Sequence, residues 1–475
     1  MSRLRLLLLL ILTGPVFAAP TREWFALTLG EHRIGYIERS REVANDIVET
    51  REYFRARLNR NGIPLTVTTE ERHRERRDGT PLRFHFRQTI GESELRVSGE
   101  LIDGRQLRLW VRNGRSVSRR QVAWPDGALL MEGIRLREQA LLDTPGLRLR
   151  YRMFNPASLE GVDTEARLVG PETLQVGDRS VDALRIEHVL ALAQNSMRVV
   201  AHIDHEGRLL RTMLPLFGRE LVISRDNERV VAPQWPRADI YDFTLVAAPA
   251  SFSDGWRAQA LRYRVAFAQH DDGAGLPGGE QRWQALGDGR FEVVVDPDAA
   301  TIVSSAPSPA HLASTTWINA DDAGIRRLAE RAIASVAAPA DRMARLEQAT
   351  RARIERHSMR VGYASAREAF DRRDGDCTEH ALLLAAMARS IGIPARIVIG
   401  LVYAEQFGRH DRVFAPHAWV QAFVDGHWRS YDAAQAGFGS DHIALAIGDG
   451  NPSDYYASLE RIGVMRIESV ERLRR

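Results

Sequence analysis

The chain contains 475 residues, and its 65 basic residues, all of them arginine, are nearly balanced by 62 acidic ones. With 44% hydrophobic residues it is long enough to form two or three domains with apolar cores. The balance of charge argues against a nucleic-acid partner, because phosphate binding requires positive charge gathered on one face.

The first residues are typical of a secretory signal peptide. A short basic start precedes the apolar run Leu6–Leu12, and the small residues Val16 and Ala18 occupy the −3 and −1 positions of a cleavage site. We therefore predict a signal peptide at residues 1–18 and a periplasmic or secreted protein. A membrane anchor is the alternative, but the run is shorter than the roughly 20 apolar residues that span a bilayer. No integral membrane segment is expected after cleavage.

The pattern of residues 19–231 predicts a largely all-β antiparallel domain. The stretch LRFHFRQ (82–88) alternates apolar and polar residues with the period of a half-buried strand. Further along, Asp103-Gly104 and Asn113-Gly114 separate strand-like segments, and such dipeptides accept the positive φ of tight hairpin turns. The mixed charges of ERHRERRDGT (71–80) are interpreted as a solvated sheet face.

One group of residues in this region could suggest a metal site. His202, Asp204 and His205 occur together in HIDHEG, but on a strand His205 would point away from the other two. The following Glu206-Gly207 is typical of a hairpin turn. We therefore interpret the group as a turn flanked by exposed polar residues, and we predict no metal site.

The rest of the chain separates into a small β segment and a mixed region. Strand-like stretches at 240–302 lie between two proline-containing linkers, residues 230–239 and 304–310. From residue 312 to residue 475 the pattern changes, since DDAGIRRLAERAIASV and DRMARLEQATRARI repeat their apolar residues at helical spacing. The fold class predicted for the whole chain is α+β.

The only cysteine in the sequence, Cys377, begins a third predicted helix that runs to Ser390. Asp376 is a suitable N-cap and Glu379 completes a capping box. The first helical position favours a thiolate, because unpaired N–H groups and the helix dipole lie there, although the two acidic residues oppose it. A nearby imidazole is needed as well. His380 lies on the same helix and is interpreted as structural, and a buried, inert thiol is the alternative for Cys377.

A predicted hairpin supplies that imidazole. In HAWVQAFVDGHWRSYD a two-residue turn at Asp425-Gly426 pairs Val424 with His427, which places His417 and Asp432 on one face as diagonal neighbours. A histidine oriented by a carboxylate and placed near a thiol is the arrangement of nucleophilic acyl transfer. His417 would take the thiol proton and Asp432 would orient the imidazole.

These segments resemble the transglutaminase-like superfamily of papain-type cysteine enzymes. The resemblance runs through GDCTEHALLLAAMARSIGIPARIVIGLVY and PHAWVQAFVDGHWRSYD and covers about residues 312–475. It implies a helix bearing the cysteine, packed on an antiparallel sheet, and a catalytic triad of Cys377, His417 and Asp432.

The expected activity is attack on amide carbonyls through a cysteinyl thioester, with no metal or organic cofactor. A protein, peptide or peptidoglycan amide is the expected substrate, and hydrolysis by a peptidase or amidase is favoured over transfer to an amine. Trp419, Trp428 and Tyr403 are predicted to contact the substrate. The alternative function is a binding or assembly protein of the envelope with an idle domain.

Overall fold

The computed structural model describes residues 21–473, except for 115, 145, 177–178, 192–195, 232–237, 253–254, 269–276, 300–305, 359–361 and 436. The predicted signal peptide lies outside the described residues. The chain forms two compact units, Met1–Asn59 with Pro64–Ala238 and Arg60–Ile63 with Asp239–Arg475. It is mostly β, with a large N-terminal β region, which confirms that part of the predicted fold class.

The first unit is built on a single sheet of fifteen strands. Across the sheet the strands lie in the order β8 to β1 and then β15 to β9. Each strand therefore pairs with its neighbours in sequence, and β1 also pairs with β15. The short β9 pairs in parallel with β10. The strands are β1 Thr21–Leu29, β2 His32–Ala44, β3 Ile47–Arg60, β4 Ile63–Arg76, β5 Pro81–Ile90, β6 Ser93–Ile102, β7 Gln106–Asn113, β8 Ser116–Ala123, β9 Ala128–Leu129, β10 Arg148–Asn155, β11 Glu160–Val176, β12 Arg179–Ala191, β13 Ser196–Ile203, β14 Leu209–Leu216 and β15 Arg219–Asp226.

The alternating pattern and the hairpin turns of this unit are confirmed. Phe84 and Phe86 of β5 are buried while the residues between them are exposed, and Asp103 and Gly104 adopt positive φ in the turn after β6. The solvated face expected for residues 71–80 needs correction. On β4 the arginines face solvent, but alternate residues are buried, namely Glu71, His73 and Glu75.

A helix, α1 (Met131–Asp143), interrupts the β region and was not predicted. Its N-cap is Leu130, which has no side chain able to cap, so the sequence lacks the usual start signal. Glu75 of β4 accepts hydrogen bonds from the N–H groups of Glu132 and Gly133 at 2.7 and 2.9 Å. A distant strand therefore provides the cap that the local sequence does not.

The second unit contains two smaller sheets. In one, the order is β16-β21-β20-β23 and β22 pairs with β21; in the other, it is β18-β19-β17-β24, so the last strand of the chain completes the sheet of the small β segment. The strands are β16 Val246–Ala247, β17 Leu261–Phe267, β18 Gln281–Gly287, β19 Arg290–Val295, β20 Ala395–Phe407, β21 His410–Val424, β22 His427–Tyr431, β23 His442–Gly448 and β24 Met465–Arg472.

The helices of this unit include the three that the sequence predicted. They are α2 Tyr241–Thr244, α3 Ala323–Ile333, α4 Pro339–Arg353, α5 Ala366–Arg372, α6 Cys377–Ser390 and α7 Pro452–Val464. Helix α6 has the predicted bounds, with Asp376 as its N-cap and a complete capping box to Glu379. Within the described part of the chain, no helix combines the length and apolar character that a bilayer-spanning segment requires.

Candidate active site

Cys377 is the first residue of α6, a helix that is buried along nearly its whole length. The thiol residue itself is only partly buried. Because the first turn of a helix leaves its N–H groups without intrahelical acceptors, the backbone at Cys377 presents donors and a positive dipole end.

The negative charge expected at this helix start is largely compensated. Arg60, the last residue of β3 and part of the segment Arg60–Ile63 that belongs to the second unit, forms an ion pair with Asp376. Burial opposes ionisation of Asp376, but Arg60 outweighs it and lowers the pKa of that carboxyl. Burial, together with the nearby Asp376, instead raises the pKa of Glu379 well above its ordinary value. The sequence analysis did not identify Arg60, because it lies more than 300 residues from the cysteine.

His417 and Asp432 come together through the predicted hairpin. Val424 pairs with His427 across a turn in which Asp425 and Gly426 have positive φ, so the two-residue register is confirmed. This register places Nε2 of His417 2.8 Å from Oδ2 of Asp432.

The other side of the His417 ring faces the thiol. Since Nε2 is bonded to Asp432, Nδ1 remains for the hydrogen bond to Cys377. Burial disfavours the imidazolium, but Asp432 and Cys377 outweigh burial and raise the pKa of His417 to about 9. The ring is therefore a base strong enough to hold the thiol proton at neutral pH.

Asp432 is held at both of its carboxylate oxygens. Oδ1 accepts the backbone N–H groups of Ala434 and Gln435 at 2.9 and 3.2 Å. Its own N–H donates to Glu347 at 2.7 Å. Although burial disfavours its charge, the charge of His417 and the hydrogen bonds from His417 and from a second histidine, His442, lower the pKa of Asp432 far below the ordinary value. The carboxylate stays ionised over the whole range in which the enzyme would work.

A second histidine, His442 of β23, also binds Asp432. Its Nε2 lies 3.0 Å from the same Oδ2 atom, and its Nδ1 lies 2.8 Å from Oδ1 of Asp441. The sequence analysis did not identify His442, because no local pattern around Asp441-His442-Ile443 indicates a functional site. His417, Asp432 and His442 have ligand-type atoms within 4.8 Å of one another. Both imidazoles point at one oxygen at hydrogen-bond distance, so hydrogen bonds account for the cluster and no metal ligands are identified here.

A glycine on β20 allows the neighbouring strand β23 to lie close to it. Gly400 of β20 pairs with His417 on one side and with Ala444 on the other, next to an irregularity in the β20–β23 register. A Cβ atom at Gly400 would lie 2.0 Å from the carbonyl oxygen of Ile443. Only glycine therefore allows the backbone of β23 to approach at this point.

The three predicted substrate-contact residues occupy different places. Trp419 is 1% exposed and lies beside the site, with ring centroids 6.2 Å from His417 and 5.2 Å from His442. Trp428 is fully buried beneath the guanidinium of Arg396, 4.0 Å from its ring centroid. Tyr403 stacks on Phe252 at 4.1 Å in a separate aromatic cluster. A role in substrate contact stays a prediction for all three.

His380 has the surroundings of a structural residue. Its Nδ1 lies 2.7 Å from the carbonyl oxygen of Asp376 on its own helix, and its ring stacks on His357 at 5.2 Å. The group His202, Asp204 and His205 forms the expected turn, in which Asp204 accepts the N–H groups of Glu206 and Arg208. The predicted exposure is wrong for His202, which is fully buried on β13 with Nε2 3.2 Å from Oε2 of Glu172.

Comparison with known proteins identifies a family for part of the chain. Residues 326–433, which include Cys377, His417 and Asp432, match the model of the transglutaminase-like superfamily, so the predicted resemblance is confirmed. No curated protein matches the chain.

Three solved structures show a weaker similarity. A candidate cysteine protease from Cytophaga hutchinsonii is 15% identical over 46% of this chain and 84% of its own, with a TM-score of 0.28. A candidate protease from Parabacteroides distasonis is 10% identical over 76% and 69%, with a TM-score of 0.19. A beta-barrel-like protein of a domain of unknown function from Brucella abortus is 12% identical over 45% and 98%, with a TM-score of 0.35. At these TM-scores the similarities support no conclusion about fold or activity.

Proposed function

Residues 326–433 form a transglutaminase-like domain, and from this we propose that the protein is an exported cysteine enzyme that attacks amide carbonyls through a thioester on Cys377. One observation supports the proposal above the others. The only thiol in the chain begins a helix and is hydrogen-bonded to His417, which is itself bonded to a buried, ionised Asp432. A domain without catalytic activity would not need a thiol, a histidine and a carboxylate hydrogen-bonded to one another in that order.

The proposed reaction begins with transfer of the thiol proton to Nδ1 of His417. The thiolate attacks the amide carbonyl, and the new C–S bond pushes an electron pair onto the carbonyl oxygen. The N–H of Cys377, at the first position of α6, is placed to stabilise this oxyanion. When the intermediate collapses, the C–N bond breaks and the imidazolium gives its proton to the departing amine.

The second half of the reaction releases the acyl group. Water gives a proton to His417 and attacks the thioester, the C–S bond breaks, and the proton returns to the sulfur. Asp432 keeps the imidazole in one orientation and stabilises its charged form throughout. No metal or organic cofactor is needed for any of these steps.

We also infer that α6 packs on the sheet of β20 and β21, as expected for this superfamily. The contacts of α6 with both strands support this arrangement. The small residues on one face of β21, from Ala418 to Ala422, are buried and leave room for the helix. The packing would set the distance between the sulfur and the imidazole.

A protein or peptide is the proposed substrate, with hydrolysis favoured over transfer to an amine. Transfer requires a site that excludes water while it admits an amine, and water is present at about 55 M. Trp419 lies beside the triad but is almost fully buried, so it offers little surface to shield a thioester from water in that way. Export rests on the sequence of residues 1–18 alone.

The first test measures the thiol. Because the chain has a single cysteine, iodoacetamide adds at most one group per molecule, and mass spectrometry of the intact protein counts it. We expect complete labelling at pH 7 in the folded protein, faster than for a free cysteine. His417→Ala should remove most of the advantage, while His427→Ala, in the turn of the same hairpin, should not. Labelling only after denaturation would contradict the proposal.

The second test identifies the fate of the acyl group. The protein is incubated with casein and a fluorescent primary amine, with Cys377→Ala as the control. We expect peptide fragments that depend on Cys377 and carry no label. Incorporation of the amine that depends on Cys377 would overturn the preference for hydrolysis and identify a transglutaminase.

A further inference from the structure

His442 has a hydrogen-bond environment that only a doubly protonated imidazole satisfies. Its Nε2 faces Oδ2 of Asp432 at 3.0 Å, and its Nδ1 faces Oδ1 of Asp441 at 2.8 Å and the carbonyl oxygen of Gly439 at 3.2 Å. All three are acceptors, and an ionised carboxylate has no proton to give. Each nitrogen must therefore supply its own hydrogen.

The surroundings hold this charge in place. His442 is fully buried, and Asp441 on its far side is bonded by Arg257, with Nε 2.7 Å from Oδ2. Although burial lowers its pKa, the hydrogen bonds to Asp432 and Asp441 outweigh burial and raise the pKa of His442 to about 9. The rings of Trp419 and Phe438 cover the imidazole, with centroids at 5.2 and 5.0 Å.

The charges from the surface to the thiol alternate in sign. The charged side chains form a row in which each lies at hydrogen-bond distance from the next. In order they are Arg257, Asp441, His442, Asp432 and His417, and Cys377 stands at the end of the row. The two imidazole centroids lie 5.7 Å apart. Three further ionisable groups interact with Asp432. Glu347 accepts its backbone N–H and has a pKa that burial raises to about 7, Arg351 donates to its carbonyl oxygen, and His380 lies within electrostatic range.

We propose that His442 is a positioning residue of the active site, a permanent buried imidazolium that fixes Asp432 and offsets its charge. The inference rests on the proposed function, because it assigns His442 a role in the triad of Cys377, His417 and Asp432. If Asp432 acted on His417 without compensation, it would hold the proton on that ring too tightly. His442 reduces this effect, so His417 can return the proton to the departing amine.

The direction of the effect follows from electrostatics. Removing a cation makes the site more negative, and a more negative site retains protons to higher pH. In His442→Gln the half-maximal pH for alkylation of Cys377, and the basic limb of amide turnover, should both move upward by about one pH unit, as expected for a charge 4–6 Å away. A residue that only supported the fold would lower the melting temperature without moving either limb.

The decisive experiment does not depend on activity. Nitrogen-15 NMR of the histidine rings in the wild-type protein at pH 7.5 should show His417 and His442 protonated at both nitrogens, and only the His442 signal should be absent in His442→Gln. His427→Gln, the same substitution at a half-buried histidine of the hairpin, should keep both signals. A neutral His442 ring at pH 7.5 would overturn the proposal even if the enzyme is fully active.

A second variant keeps the test valid if His442→Gln does not fold. Asp441→Asn preserves the shape of the neighbour but removes one of the two negative charges that stabilise the imidazolium. We expect His442 to lose its proton at a pH about one unit lower by NMR. Titration of His442 at an unchanged pH would contradict the inference, whereas failure of casein hydrolysis alone would count against the proposed function only.

Discussion

The two units of the molecule both bury ionisable side chains, but they place them differently. In the first unit, Glu52 lies 3.6 Å from Arg39 and His73 lies 3.4 Å from Glu71, as separate pairs on adjacent strands. In the second unit, two histidines bind a single oxygen of Asp432 at 2.8 and 3.0 Å. Burial of ionisable groups is thus common to both units, and among the described residues it is the convergence of two histidines on one carboxylate oxygen beside a thiol that distinguishes the candidate active site.

The largest expected effect comes from removing the base. His417→Ala should reduce amide turnover by at least about 10³-fold, because it removes the group proposed to take the thiol proton. His73→Ala deletes an equally buried imidazole in the first unit and should leave the turnover of the folded enzyme unchanged. Rates measured with casein, corrected for the folded fraction, make the comparison. Similar losses in the two variants would show that the distinction between the units is wrong.

The next effect concerns the carboxylate on which the site converges. Asp432→Asn should lower turnover by about 10²-fold, and it should also destabilise the protein by about 3 kcal/mol, because it leaves two buried imidazoles without their anion. The pKa of Asp432 is lowered in the folded state, so its contribution is present above about pH 4 and is lost as pH falls.

Denaturant unfolding at pH 7 and pH 3 measures this contribution. The free energies of unfolding of the wild type and Asp432→Asn should differ at pH 7 and approach each other at pH 3. A constant difference would mean that the carboxylate contributes through packing and not through its charge.

A smaller effect is expected at the start of α6. Arg60→Gln removes the cation that compensates Asp376, so the thiolate would form beside an uncompensated negative charge. Alkylation of Cys377 by iodoacetamide at pH 7 should slow about tenfold, and its half-maximal pH should rise by about one unit. Arg74→Gln, which removes an exposed pair with Glu49, serves as the matched control. Equal alkylation rates would show that the helix start alone activates the thiol.

The smallest effect is expected in the first unit. Burial raises the pKa of Glu52 to about 8, against the opposing effect of Arg39, so this side chain is mostly neutral at pH 7. Glu52→Gln should change the stability little near pH 5. Because the folded protein keeps this proton to a higher pH than the unfolded chain does, the wild type loses stability as pH rises towards 8. The free energy of unfolding of the variant should therefore rise relative to that of the wild type by about 1 kcal/mol per pH unit. A difference that does not change between pH 5 and pH 8 would indicate an ionised Glu52.

Local signals predicted the parts of the site that are close in sequence. Helix α6 and its capping box follow from the residues between Asp376 and Ser390, and the hairpin follows from Asp425-Gly426. Arg60 and His442 could not be predicted in this way, since neither belongs to a local pattern around Cys377 or His417. Their positions depend on how distant strands pair, which a single sequence does not reveal.

The same limit applies to the β region. The alternation on β4 predicted a strand, but the two faces of ERHRER are equally polar, so the pattern did not reveal that Glu71, His73 and Glu75 are the buried ones. Helix α1 was missed because its cap comes from Glu75, more than 50 residues away. Periodicity identifies a strand or a helix, but which of its faces is buried here depends on residues elsewhere in the chain.

The missing side chain at Gly400 has a consequence for how relatives of this protein are recognised. A methyl group there would collide with the backbone at Ile443 and push β23, with His442, away from the carboxylate. A descendant chain could therefore lose its activity through one added carbon atom while Cys377, His417 and Asp432 all remain. Surveys that count intact triads would classify such a chain as an enzyme, so the residue at position 400 should be inspected together with the three proposed catalytic residues.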